Sequence, residues 1–124
     1  MPDELEKLLR DFGKAFFNAD AESLAECITS DFEWHQHVGT NAPTGNVIKG
    51  ADATCEEVKR RKQEWRDVKY ADFQNHFTKD LIVSTFTVSG IDEKGQSFNV
   101  CAVDLYPIAN GKILLKDSYW KRIY

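Results

Sequence analysis

From Asp3 to about Ala19 the apolar positions Leu5, Leu8, Leu9, Phe12, Phe16 and Ala19 recur three and four residues apart, with Glu4, Lys7, Asp11 and Lys14 between them. That spacing lays the apolar side chains along one stripe of an α-helix. Asp20 is placed to cap a second, short helix through 21–28, with Glu22 and Ser23 in its first turn. A strand-like run follows from Asp31 to Gly39. Residues 39–50 carry Gly, Asn, Pro and Thr at the density of a loop, and Ala42-Pro43-Thr44-Gly45 reads as a turn. Asp52 precedes a third helix to about Trp65, with Cys55, Val58 and Lys62 or Trp65 on its inner stripe. Long β runs then occupy 67–77, 81–90, 97–106 and 112–124. Asp92-Glu93-Lys94-Gly95 supplies one connecting turn, and Asn110-Gly111 is a type I′ hairpin signal.

Helices gathered at the start and long strands gathered at the end predict an α+β domain rather than a parallel α/β one. The expected architecture is a curved, mostly antiparallel sheet wrapped around the N-terminal helices, forming a cone with an apolar cavity. At 124 residues the chain is expected to form a single domain spanning 1–124. Such a concavity is where a ligand would bind.

Composition narrows the function classes. Eight Phe, four Tyr and three Trp can line a pocket as well as fill a core. A net charge of -4 opposes a nucleic-acid partner, which needs a basic surface. The one basic cluster, Lys59-Arg60-Arg61-Lys62, is flanked by Glu56, Glu57 and Glu64 at helical spacing and reads as a solvated, ion-paired helix face. The N-terminus lacks the positive start and apolar stretch of a signal peptide, and no apolar run is long enough to span a membrane. A cytoplasmic location with no membrane partner is expected. Cys27, Cys55 and Cys101 show no CxxC spacing and read as free, buried thiols.

Two features carry candidate chemistry. In Trp34-His35-Gln36-His37, strand geometry sends the two imidazoles to one face and Trp34 with Gln36 to the other. Either pair can face the cavity: the histidines as acid-base groups, or the amide and indole as gripping groups. The second feature is Asp104, inside the apolar run Val100-Cys101-Ala102-Val103-Asp104-Leu105-Tyr106, where a carboxylate is costly to bury unanswered. Alternation puts Val100, Ala102, Asp104 and Tyr106 on one face. Apolar walls there would disfavour the ionised carboxyl, which suits a group that holds a proton near neutral pH. Cys101 faces away from Asp104, which disfavours a Cys-His nucleophile.

The order of elements resembles the nuclear transport factor 2-like superfamily, also called cystatin-like α+β, and within it the SnoaL-like polyketide cyclases and ketosteroid isomerases. The residues that carry the likeness are Phe17-Asn18-Ala19-Asp20, Trp34-His35, Gly45 with Gly50-Ala51-Asp52-Ala53, Phe86-Thr87-Val88-Ser89 and Val103-Asp104-Leu105-Tyr106. The resemblance implies that Asp104 stands where the isomerases place the aspartic acid of their oxyanion hole, and near the acid-base aspartate of the cyclases. Two positions depart from the isomerase pattern. Gln36 falls near the catalytic aspartate and Gly13, between Phe12 and Phe16, near the helix tyrosine. An amide cannot abstract a proton and a phenylalanine cannot donate one, so steroid isomerisation is disfavoured. The relatives work without metal, so His35-x-His37 completed by His76 or Asp104 is not expected to be a metal site, and no cofactor is expected.

The sequence therefore points to a small cofactor-free enzyme of the SnoaL-like group, acting by general acid-base catalysis as an isomerase, cyclase or dehydratase on a hydrophobic carbonyl compound. Asp104 and His35 are the expected catalytic pair. Gln36 and Trp120 would position the substrate. Phe12, Phe16, Trp34, His37 and Trp65 are further expected liners, as are Phe86, Val100, Ala102 and Ser118. The alternative is a non-catalytic module of the same fold that binds a small molecule or serves assembly. A homodimer is expected through the outer sheet face, where Cys101, Val103 and Leu105 form an apolar row.

Overall fold

A computed structural model describes residues 2–37 and 45–121. Helices α1 (Pro2–Phe17) and α2 (Ala21–Cys27) lead into β1 (Ile28–His37) and β2 (Asn46–Lys49). Helix α3 (Gly50–Glu64) precedes β3 (Arg66–Phe77), β4 (Leu81–Ile91), β5 (Ser97–Ala109) and β6 (Lys112–Lys121). The strands make one open sheet in the order β2-β1-β6-β5-β4-β3. Every neighbouring pair is antiparallel except β1 with β6. This is the expected α+β arrangement, with the helices on the concave face of a mostly antiparallel sheet.

Local chemistry explains most of the boundaries. Asp20 caps α2, its Oδ1 accepting from the Ser23 amide at 3.2 Å and its Oδ2 from the Ser23 hydroxyl at 2.8 Å. Asn110 and Gly111 both hold positive φ, 53° and 72°, as a type I′ turn requires. At the β4–β5 turn, Asp92 Oδ1 accepts from the Lys94 and Gln96 amides. Helix α3 begins three residues earlier than the sequence suggests. Its N-cap position is Lys49, which makes no side-chain cap, and Asp52 lies in the first turn instead.

Strand β2 departs from the expected loop over 39–50. Asn46–Lys49 pair antiparallel with Glu33–Gln36. Gly45 and the turn residues before it hid a strand of only four residues; residues 42–44 of that expected turn lie outside the described residues. Gly45 explains how the chain approaches β1 so closely. It has φ +71°, and a Cβ there would stand 2.1 Å from the Gln36 carbonyl oxygen.

The core forms in two parts. One joins Phe12, Phe16, Leu24 and Val58 of the helices to Phe32, Trp34, Ile82, Tyr106 and Ile113 of the sheet. The other, farther along the sheet, joins Phe86, Val88, Phe98, Val100 and Ala102. The edge strand β3 is irregular, with register shifts after Arg66 and Ala71 and left-handed backbone at Asp67 and Asp72. Such bulges bend an edge strand over. Cys27 and Cys55 are buried, but Cys101 is exposed on the outer face, contrary to expectation. No helix among the described residues is long and apolar enough to cross a membrane.

Replacing Gly45 with Ala is expected to destabilise the protein by at least ~2 kcal/mol in urea unfolding, because it adds a backbone clash to a left-handed conformation. An unchanged midpoint would show that β2 does not hold this approach to β1.

Candidate functional site

The inner face of the sheet is set by alternation. On β1, Phe32, Trp34 and Gln36 are buried, while Glu33, His35 and His37 are half-buried on the other side. On β5 the buried row is Phe98, Val100, Ala102, Asp104 and Tyr106. On β6 the inner row is Lys116, Ser118 and Trp120, reached after a shift of register that breaks the alternation from Ile113.

These rows and α1 enclose a cavity of about 620 Å³. Phe12, Phe16, Trp34, Phe86, Ser118 and Trp120 stand in its wall, as does Asp104. So do groups the sequence reading did not nominate: Arg61, Tyr70, Ser84, Tyr106 and Lys116. A second cavity of about 290 Å³ adjoins it, with Trp65 in its wall and Phe16, Arg61 and Tyr70 common to both.

At the cavity floor Asp104 is 2 % exposed and Lys116 6 %. Lys116 Nζ donates to Asp104 Oδ2 at 2.7 Å and to the Tyr106 hydroxyl at 2.9 Å, and that hydroxyl donates to Asp104 Oδ2 at 3.0 Å. The three side chains close a ring. Asp104 Oδ1, also buried, has no hydrogen-bond partner among the described residues. Lys116 has three N–H donors, and two are used in the ring. Aromatic faces surround the ammonium, Phe16 at 4.6 Å and Tyr106 at 5.1 Å to the ring centroids. Burial pushes the Lys116 amine down from the ordinary lysine range, while the Asp104 charge pushes it back up. The Tyr106 phenol is pushed well up, first by burial and then by the Asp104 charge, so it remains a proton donor.

A second cation sits above the floor. Arg61 reaches from α3 into a box of indoles, its guanidinium carbon 4.8 Å from the Trp34 ring, 4.6 Å from Trp65 and 5.1 Å from Trp120. Its Nε lies 3.3 Å from Glu57 Oε2, an ion pair without an aligned hydrogen bond. Burial lowers the Arg61 pKa, opposed by Tyr70 and Glu57. Glu57 also accepts from Gln36 Nε2 at 3.0 Å and from Arg60. Burial works to raise the Glu57 carboxyl, but the hydrogen bonds from Arg60 and Gln36 prevail and hold it below its ordinary value. Trp34 Nε1 donates to Ser118 Oγ at 3.1 Å, tying the floor of β1 to β6.

Several sequence expectations are corrected here. His35 does not meet Asp104: it lies on the outer face, bonded to Glu33 at 2.8 Å. His37 lies there too, bonded to Asp117 at 2.6 Å. Both follow from Trp34 taking the inner row, where a large indole is buried more favourably than an imidazole. Gln36 faces inward but is spent on Glu57 and does not reach the cavity wall. Val100 and Ala102 pack in the second core cluster instead of lining the cavity. Asp104 does not sit among apolar groups alone, because Lys116 answers it. Arg61 belongs to the site and not to the solvated face assumed for the basic cluster. Arg60 keeps that assumed role, paired with Glu57 and Glu64. A stripe continued from Cys55 and Val58 reaches 61 as readily as 62, and this was the one sequence signal for Arg61.

The geometry can be set beside known proteins. A family model described as a SnoaL-like domain matches residues 9–115. No curated protein matches the chain by sequence. Among solved structures, a nuclear transport factor 2-like protein from Burkholderia xenovorans superposes with TM-score 0.78 at 16% identity, covering 96% of this chain and 90% of that one. A candidate polyketide cyclase from Xanthomonas campestris gives 0.72 at 15% identity, with 96% and 91% covered. A protein of ketosteroid isomerase-like fold from Catenulispora acidiphila, in complex with trimethylamine, gives 0.70 at 13% identity, with 92% and 85% covered.

Breaking the floor pair leaves a buried charge uncompensated. Asp104→Ala is expected to cost about 3–5 kcal/mol in urea unfolding, and the double variant Asp104→Leu/Lys116→Met much less than the sum of its single changes. Additive effects would show that the two charges do not depend on each other.

Proposed function

The chain belongs to the SnoaL-like domain family, and from the chemistry gathered in its cavity we propose that it is a small enzyme acting by general acid-base catalysis on a largely hydrophobic, carbonyl-containing molecule. One observation carries this reading: a buried carboxylate with one oxygen unanswered stands beside a buried ammonium with a donor to spare, both in the wall of a cavity large enough for a small ring compound.

In this reading the unanswered Asp104 Oδ1 accepts a proton from the carbon next to the substrate carbonyl. The third N–H of Lys116 donates to the carbonyl oxygen, and its charge steadies the enolate that forms there. Returning the proton to another carbon gives an isomerisation. Attack of the enolate carbon on a second carbonyl gives a ring closure, with the new alkoxide taking a proton. Tyr106 keeps Asp104 Oδ2 occupied, so the base is confined to Oδ1. Phe12, Phe16, Phe86 and Trp120 supply the apolar surface for the substrate body, and Arg61 favours a substrate with electron-rich or anionic groups at its far end.

The completeness of the Lys116–Tyr106–Asp104 ring favours a second reading, in which the pair is structural and the cavity only binds. The two readings separate on a defined probe. α-Tetralone is added to the protein in deuterated buffer, its binding followed by tryptophan fluorescence and its exchange at the carbon next to the carbonyl by proton NMR. Exchange above background is expected, with loss of at least about 100-fold in Asp104→Asn while the probe still binds, the scale of a removed general base. Binding without exchange would assign the cavity to binding alone, and exchange unchanged in Asp104→Asn would remove Asp104 from the role of base.

A further inference from the structure

The outer face of the same sheet holds a second cluster, unconnected with the cavity. Strands β1 and β6 run parallel there, with His35 opposite Asp117 and His37 opposite Tyr119. One ligand atom from each of His35, His37 and Asp117 lies within 4.8 Å of the other two. All three side chains are partly sheltered, 16–17% exposed.

Their surroundings hold them in place. The Tyr119 ring stacks on the His37 imidazole, with centroids 4.0 Å apart and planes 4° from parallel. The same tyrosine donates its hydroxyl to Asp117 Oδ2 at 3.1 Å, while Asp117 Oδ1 meets His37 Nε2 at 2.6 Å. One side chain thus fixes both a histidine and a carboxylate. Glu33 Oε1 meets His35 Nε2 at 2.8 Å, the carboxylate–histidine contact that commonly orients a ligating imidazole. Two carboxylates, Glu33 and Asp117, thus stand against the two imidazoles.

We propose that His35, His37 and Asp117 form a binding site for a late first-row divalent cation, with Zn²⁺ as its type. Two imidazoles with one carboxylate suit Zn²⁺, Co²⁺, Ni²⁺ or Cu²⁺, whereas Mg²⁺ and Ca²⁺ call for oxygen ligands throughout. Three protein ligands leave a coordination position for water or another donor. A tetrahedral ion with bonds of about 2.0 Å needs its ligand atoms roughly 3.3 Å apart. The present spread of up to 4.8 Å closes by side-chain rotation, because the ligands stand on adjacent, hydrogen-bonded strands whose backbones need not move. The sequence motif His35-x-His37 therefore finds its third ligand in Asp117, not in His76, which is exposed on the distant edge strand β3, or in Asp104 on the opposite face.

Metal-stripped full-length protein titrated with Co²⁺ and followed by visible absorption tests the site. Saturable ligand-field bands are expected, reached at one ion per chain and abolished by Zn²⁺. His37→Ala and Asp117→Asn should weaken binding by more than about 100-fold. Tyr119→Phe, which keeps the stacked ring and removes only the hydroxyl, should weaken it by roughly 10-fold or more, the scale of a lost outer-shell partner. His76→Ala should leave the titration unchanged. Absent bands, or bands that survive both His37→Ala and Asp117→Asn, would overturn the proposal. If a ligand variant misfolds by circular dichroism, Tyr119→Phe decides: unaltered affinity in it counts against the site as drawn.

Discussion

A lysine and an aspartate buried together on the inner face of the sheet are the constraint on which the site is organised. Neither charge is tolerable alone at that depth, and the 2.7 Å contact between them offsets a desolvation cost that would otherwise expel both. The aromatic rings around Lys116 and the Tyr106 hydroxyl supply what a single ion pair lacks. The pair ties β5 to β6 on the diagonal, because Asp104 lies opposite Ser118 and Lys116 stands two residues before it in the row that also carries Trp120. It also sets the cavity's chemistry, because this polar floor faces the rings of Phe12, Phe16, Phe86 and Trp120 with the Arg61 guanidinium among them.

The two faces of the sheet divide the chain's polar groups between them. Trp34 decides the division on β1: once the indole is buried and donates to Ser118, residues 35 and 37 are sent outward with no further choice. Parallel pairing of β1 with β6 repeats the decision on the neighbouring strand, where Lys116 and Ser118 go inward and Asp117 and Tyr119 go out. One alternation thus builds a lysine–aspartate floor on the inner face and a histidine–carboxylate cluster on the outer face.

Much of this was legible from residues alone. The 3.6-residue stripe of α1, the Asp20 cap, the Asn110-Gly111 turn and the alternation that buries Asp104 each rest on local chemistry that tertiary contacts did not overrule. Lys116 was not legible, since a lysine on a strand is ordinarily solvated and the register shift before it breaks the pattern that would have aimed it inward. Arg61 was hidden inside a run of four basic residues whose exposed members, Arg60 among them, do behave as a solvated face. The facing of His35 depended on whether Trp34 or the imidazoles took the core, a contest settled by packing against Phe16 and Ser118 from distant parts of the chain. Asp117 was invisible as a partner to the histidines because nothing local shows that β1 will lie parallel to β6.

In the proposed reaction a substrate's carbonyl meets Lys116 and Asp104 at the cavity floor. A crystal structure of the protein soaked with α-tetralone tests it most directly. The ketone oxygen is expected within hydrogen-bond distance of Lys116 Nζ and the adjacent carbon over Asp104 Oδ1, with the fused ring among Phe12, Phe16 and Phe86. A ketone bound with its oxygen turned to the cavity mouth, or held only in the smaller chamber beside Trp65, would contradict it.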